Sequence, residues 1–141
     1  MTDIKELEVR IRRLEDRAEI IELTARYCRY VTQANKEALV ALYTPDGVFD
    51  RKNSDGTIAR GHDELRKTYG NSGPNAFLPV IHNHIIELDG DEATGTCVVE
   101  SPVRAGKLSG FVSRYEDKYR RVNGKWLFTE RKVFSVMNFD Q

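Results

Sequence analysis

The 141-residue chain is poor in the residues that mark out special classes of protein. It has two cysteines, four prolines, one tryptophan and no excess of either charge, with 22 Lys+Arg against 22 Asp+Glu. Each shortage excludes something. Cys28 and Cys97 are far apart and fall in different expected elements. They make neither a disulfide framework nor a metal-type spacing, and read as buried thiols of a reducing compartment. A net charge of zero withholds the basic excess of nucleic-acid binders and gives no general attraction to anionic membranes. No apolar run approaches the ~20 residues of a membrane span. The start, Met1 to Glu6, is polar and acidic, unlike a secretory leader. A cytoplasmic protein that engages neither nucleic acid nor membrane is the expectation. Phosphate loops, dinucleotide fingerprints and nucleophile elbows are also missing.

What is present is a division between two halves. The length suits one domain, residues 1–141, and 40% apolar residues are enough for one core. In the first half, Ile4, Leu7, Ile11, Leu14, Ala18, Ile21, Ala25 and Cys28 recur every three or four residues, which predicts one long helix from Ile4 to Val31. Thr2 or Asp3 can cap it, with Glu6 placed for a capping box. Its first turns are charge-dense with a narrow apolar seam. Residues 1–14 therefore read either as an arm packing on a partner subunit or as a solvated helix lying across its own domain. A second helix is expected over Lys36–Tyr43 after Asn35, and a third over His62–Tyr69 after Gly61. A short strand, Val48–Asp50, lies between them, followed by a turn at Asn53–Gly56 and its return at Thr57–Ala59. Gly70–Pro74 is a flexible connection and a lid candidate.

The second half alternates apolar and polar residues in four strands: Val80–Leu88, Ala93–Val103, Leu108–Arg121 and Lys125–Val136. The turns between them include Asp89-Gly90-Asp91 and the hairpin signal Asn123-Gly124, with a loop at 104–107. Late strands after early helices give a segregated α+β fold, with a curved antiparallel sheet around helices.

The residues Ala18–Leu23 with Arg26-Tyr27, Ala41–Asp50, Gly61–Leu65, Asn83–Ala93 and Tyr115–Trp126, followed by Arg131, together resemble a SnoaL-like domain of the NTF2-like superfamily, with scytalone dehydratase among the relatives. The resemblance covers nearly the whole chain after residue 14. It implies a conical, cystatin-like α+β barrel, in which a bent antiparallel or mixed sheet wraps three helices around an interior pocket. It also implies homo-oligomers, often dimers. Its members include cofactor-free dehydratases, isomerases and cyclases, and also proteins that only bind. Dehydratase-type members carry an Asp at the end of the first helix and a His near the first long strand. The aligned positions here are Thr32 and Pro79, so that Asp–His relay is absent from its usual places.

The expected function is therefore a pocket that binds or acts on a small, largely apolar molecule. The chemistry is either cofactor-free lyase or isomerase chemistry, or ligand binding without turnover. Strand parity places His82 and His84 with Ile86 and Leu88 on the core side unless a bulge intervenes. An imidazole there can move a proton near neutral pH. His82, His84, Tyr27 and Asp50 are the catalytic candidates, while Arg131, Asn83, Ser101 and Tyr30 are the substrate-contacting ones. The resemblance places Tyr27 and Arg131 at the pocket. Arg131 shares parity with Leu127, Thr129 and Val133; inward, it needs an anion or a carboxylate such as Asp117 or Asp50. Glu100 and Arg104 share strand parity and can pair. A His-x-His pair can also grip a metal, but no spacing supports Asp50, Glu100 or His62 as a third ligand; no cofactor or metal is expected.

Overall fold

The computed structural model describes residues 3–104 and 108–140. Thr2 as a cap and the loop at 105–107 lie outside the described residues, as do the side chains of Arg104 and Leu108. Three helices precede most of a six-stranded sheet: α1 Ile4–Gln33, α2 Lys36–Val40, β1 Tyr43–Asn53, β2 Thr57–Arg60, α3 Gly61–Thr68, β3 Val80–Asp89, β4 Glu92–Arg104, β5 Leu108–Val122 and β6 Lys125–Asp140.

Local chemistry explains the helix ends. Asp3 caps α1 by accepting from the Glu6 N–H at 2.8 Å. Ala34 closes α1 in the left-handed region at φ 55°, and Asn35 accepts from the Ala38 N–H to begin α2 at once. That helix is shorter than the predicted Lys36–Tyr43. Leu42 and Tyr43 instead join the sheet, where the Phe128 N–H donates to the Leu42 carbonyl at 2.8 Å.

The sheet order is β2-β1-β6-β5-β4-β3. β1 runs parallel to β6 and every other pairing is antiparallel, so the sheet is mixed. Its two edge strands do not pair with each other, and the cone is open along that seam. Asn123 and Gly124 both sit at positive φ, 52° and 78°, as the tight β5–β6 hairpin requires. β6 continues past the expected end at Val136, because Met137–Asp140 pair with Ser109–Val112.

One cluster of buried residues joins the helices to the sheet and extends to the walls of the cavity described below. α1 contributes Ile20, Leu23 and Tyr27 to it and buries Asp16 and Thr24 on the same side. This is not the apolar seam read from the sequence, most of which remains exposed. Asp16 is where α1 joins the body. Its buried carboxylate accepts from the Arg121 guanidinium and from Trp126 Nε1 at 3.1 Å. Residues 4–15 are exposed ahead of it.

Candidate active site: a cavity at the wide end of the cone

The wide end holds a cavity of about 580 Å³, within the size range of small-molecule sites. Its walls come from both halves of the chain. The C-terminal half of α1 supplies Tyr27, Tyr30 and Val31, and β1 supplies Phe49 and Arg51. The inner faces of β4, β5 and β6 add Ser101, then Phe111, Ser113 and Tyr115, then Val133. Thr68 to Gly73, including the expected lid segment as far as Gly73, forms part of the rim, with Asn35 and with Lys36, which lies close to Gly70. The lining is aromatic and hydroxylic.

Three phenols make a chain in the wall. The Tyr69 hydroxyl lies 2.8 Å from that of Tyr27 and 2.7 Å from that of Tyr43. Burial raises the pKa of all three, strongly for Tyr43 and Tyr69, so they are neutral O–H groups at physiological pH. Three hydroxyls share two bonds, leaving one proton free. When the chain is polarised from Tyr43 through Tyr69, that proton is on Tyr27 at the cavity.

Beneath this wall is a buried ion pair. Arg131 and Asp117 are fully removed from solvent and meet through two hydrogen bonds, Nε to Oδ1 at 2.8 Å and Nη2 to Oδ2 at 2.9 Å. The guanidinium packs against the rings of Tyr115, Tyr27 and Phe128 at 4.1, 4.3 and 4.4 Å from their centroids. Burial alone would lower the Arg131 pKa, but Asp117 outweighs it and the group stays charged. Nη1 has no hydrogen-bond partner. Of the two carboxylates the sequence offered, Asp117 is the one engaged. Arg131 is inward beside Phe128, rather than in step with Leu127 and Thr129, because Thr129 is bulged out of the ladder: Tyr119 pairs with Phe128 and Lys118 with Glu130.

A bulge also separates the two histidines. His82 pairs with Val98 and Ile85 with Thr96, so Asn83 and His84 together oppose Cys97. Asn83 takes φ 53°, a conformation Asn tolerates. The parity expectation that both rings point inward is thus corrected. His82 is on the exposed side, its Nε2 3.8 Å from Glu100. The expected Glu100–Arg104 pairing involves the Arg104 side chain and lies outside the described residues. His84 is half-buried, its Nε2 3.2 Å from the Tyr119 hydroxyl. Tyr119 gives its own proton to Asp117 Oδ2 at 3.0 Å, so its oxygen can only accept from His84. This fixes the proton on Nε2 and leaves Nδ1 as the basic lone pair. Burial lowers the His84 pKa, ahead of the opposing effect of Asp117 and the reinforcing effect of Arg131. Gly95 makes the arrangement possible, since a Cβ there would stand 2.8 Å from the Tyr119 hydroxyl.

Of the eight residues expected at the site, Tyr27, Tyr30 and Ser101 line the cavity. His84 and Arg131 belong to the network beneath it. His82, Asn83 and Asp50 stand apart from the cavity; the Asp50 carboxylate accepts from the Lys52 N–H at 2.9 Å. The sequence reading missed Phe49, Tyr69, Phe111, Ser113 and Val133. Phe111 and Ser113 were within reach, because Phe111-x-Ser113-x-Tyr115 keeps the parity of the inner face, and so was Val133, which shares parity with Arg131. Tyr69 was read only as the end of a helix. The described residues contain no cluster of metal-ligating side chains. Cys28 and Cys97 are free thiols, and burial pushes Cys97 up to about 12. No helix among the described residues is long and apolar enough to cross a membrane.

An open, conical mixed sheet folded over a long helix, with a cavity between them, defines an NTF2-like protein of the cystatin-like fold. More narrowly, the chain belongs to the SnoaL-like domain family, whose model matches residues 12–132. Similar solved structures agree. An NTF2-like protein with a cystatin-like fold from Novosphingobium aromaticivorans is 25% identical, with TM-score 0.82 over 96% of this chain and 92% of that one. A candidate scytalone dehydratase from the same organism is 22% identical, with TM-score 0.80 over 92% and 89%. LinA is 17% identical, with TM-score 0.82 over 92% and 91%. The last two likenesses are of fold. No curated protein matches the chain.

Proposed function

We propose that the cavity binds a small, largely apolar molecule carrying at least one hydrogen-bond-accepting oxygen. The observation that carries this reading is the pairing of an aromatic cavity of about 580 Å³ with phenols held protonated in its wall. The rings of Phe49, Phe77 and Phe111 favour a flat apolar body. The free proton of the Tyr27–Tyr69–Tyr43 chain, together with the Ser101 hydroxyl, supplies donors for a carbonyl or hydroxyl oxygen. Neutral phenols with raised pKa are donors and not bases, which favours recognition over proton abstraction at this wall.

A second reading adds turnover: cofactor-free lyase or isomerase chemistry of the kind named for the candidate scytalone dehydratase. The His84–Tyr119–Asp117–Arg131 chain favours it, since it links a neutral imidazole to a cation under the cavity floor.

Thermal protection by aromatic, steroid-like and polyketide-like compounds tests the first reading. A binder should raise the Tm of the wild type and do so much less in Tyr27→Phe; a panel that never moves Tm would overturn binding. Product formation by a binder that is lost in His84→Ala would support the second reading. A binder recovered unchanged would leave recognition alone.

A further inference from the structure

We infer that residues 4–25 zip against the same segment of a second copy of this chain as a parallel, two-stranded coiled coil. The inference is independent of what the cavity binds.

The core-facing side of α1 is settled by Asp16, Ile20, Leu23, Thr24 and Tyr27, all buried. Roughly opposite runs a second stripe with strict seven-residue spacing: Ile4, Ile11, Ala18 and Ala25 at one seam position, and Leu7, Leu14 and Ile21 at the other. None of the seven is covered. Ile4 is 74% exposed, Leu7 44%, Ile11 53%, Leu14 67% and Ile21 53%. Three heptads of about 33 Å thus present seam residues that the chain's own body leaves uncovered, the body touching only the flanking Arg17 and Thr24 in the last heptad.

Two features of the stripe select the occupant. The first is shape. In its first two heptads β-branched Ile4 and Ile11 hold the first seam position while Leu7 and Leu14 hold the second, the arrangement that favours two parallel strands. Ala18 and Ala25 then let the helices approach closely where they enter the two bodies.

The second is charge. The positions flanking the seam on one side are Glu8, Glu15 and Glu22; on the other they are Asp3, Arg10, Arg17 and Thr24, the last of which is buried in the chain's own core. In a parallel pair, each flanking residue of the second set meets the residue five places further along on the partner helix. Arg10 then faces Glu15 across the seam, and Arg17 faces Glu22, twice each by symmetry. Asp3 would meet Glu8, a like-charge contact confined to the first turn. Arg17 also donates to the Ile86 carbonyl at 2.7 Å, so the Arg10–Glu15 pairs carry most of the selection. In an antiparallel pair each set faces itself, Glu against Glu and Arg against Arg, and is repelled. A parallel second copy is the partner this surface fits.

The test uses the full chain. By sedimentation the wild type should be a dimer, and Leu7→Glu with Leu14→Glu a monomer of unchanged circular dichroism, since residues 4–15 are not part of the body. Arg10→Glu should weaken dimerisation about tenfold, because two attractive contacts become repulsive. Adding Glu15→Arg should restore it. Leu14→Cys, a position that faces its own counterpart in a parallel pair, should form an intermolecular disulfide in air where the wild type does not. A monomeric wild type would overturn the inference. So would a dimer indifferent to the Leu7/Leu14 change, or one strengthened by Arg10→Glu, which would mark an interface elsewhere or an antiparallel pairing.

Discussion

Arg131 and Asp117 meet through two parallel hydrogen bonds with neither side chain touching solvent, and they sit fourteen residues apart on neighbouring strands paired at that rung. Such a pair is a poor source of net stability but a costly one to break, because the survivor is left as an uncompensated buried charge. Asp117→Ala is expected to lower unfolding free energy by about 3–5 kcal/mol, measured by urea denaturation. The double change Arg131→Met with Asp117→Leu should recover most of that loss. A single Asp117→Ala variant as stable as the wild type would show that the guanidinium finds another counter-charge.

Tyr69 stands in the middle of the phenol chain and Tyr27 and Tyr43 at its ends. Tyr69→Phe removes two hydrogen bonds and leaves two buried oxygens without their partner. Tyr43→Phe removes one and leaves Tyr69 bonded to Tyr27. Tyr69→Phe should therefore be the more destabilising, by about 1–3 kcal/mol against about 1 kcal/mol for Tyr43→Phe. Equal losses in denaturant titrations would mean the chain does not act as a unit.

The pH dependence of stability should carry the mark of His84. Its folded-state pKa lies below the ordinary histidine value because burial disfavours the imidazolium. The unfolded chain thus takes up the proton first. The contribution of neutral His84 is present in full above about pH 6.5 and is lost as pH falls through the lower folded-state value. The Tm measured from pH 7.5 to 5 should fall, and His84→Gln should flatten part of that fall. An unchanged slope in His84→Gln would assign the acid sensitivity elsewhere.

The sequence made much of this architecture legible because its signals were periodic. α1 and the four long strands are where the spacing put them, and Asn123-Gly124 makes the turn its residues demand. The site was less legible, for two physical reasons. Parity rules assume an unbroken ladder, and bulges at Asn83 and Thr129 each shift the face by one residue, turning His82 outward and Arg131 inward. The cavity also draws on segments distant in the chain, brought together by the parallel β1–β6 pairing and by helix packing, contacts without local signature. Phe49 and Tyr69 stack at 4.9 Å though twenty residues apart, and no local pattern pairs them. The exposed seam of α1 was visible as a pattern. Only the fold showed that the core uses the other side of the helix.

Asn83 offers a direct test of the bulge that aims His84. At φ 53° a β-branched side chain is strained, whereas Gly is at ease. Asn83→Val should cost about 1–2 kcal/mol, and Asn83→Gly should be near neutral. If the Val substitution reverses the bulge, His84 loses Tyr119, and the His84 pKa followed by NMR titration should rise toward that of an exposed imidazole. A stable Asn83→Val variant with an unmoved His84 titration would show that the bulge is held by other parts of β3.

Ser101 separates binding from folding most cleanly. Its side chain is 1% exposed, it lines the cavity, and its Oγ has no hydrogen-bond partner. A buried hydroxyl without a partner costs stability in the empty protein and gains its return only when something in the cavity bonds to it. Ser101→Ala should therefore leave the empty protein as stable as the wild type, or more stable by up to about 1 kcal/mol. The same change should weaken an oxygen-bearing ligand by about tenfold, the worth of one hydrogen bond to a group that is otherwise unsatisfied. Calorimetric titration of both forms with the best binder reads the two effects separately. Equal affinities would remove Ser101 from ligand recognition, and a destabilised empty variant would mean that the hydroxyl is already satisfied within the fold.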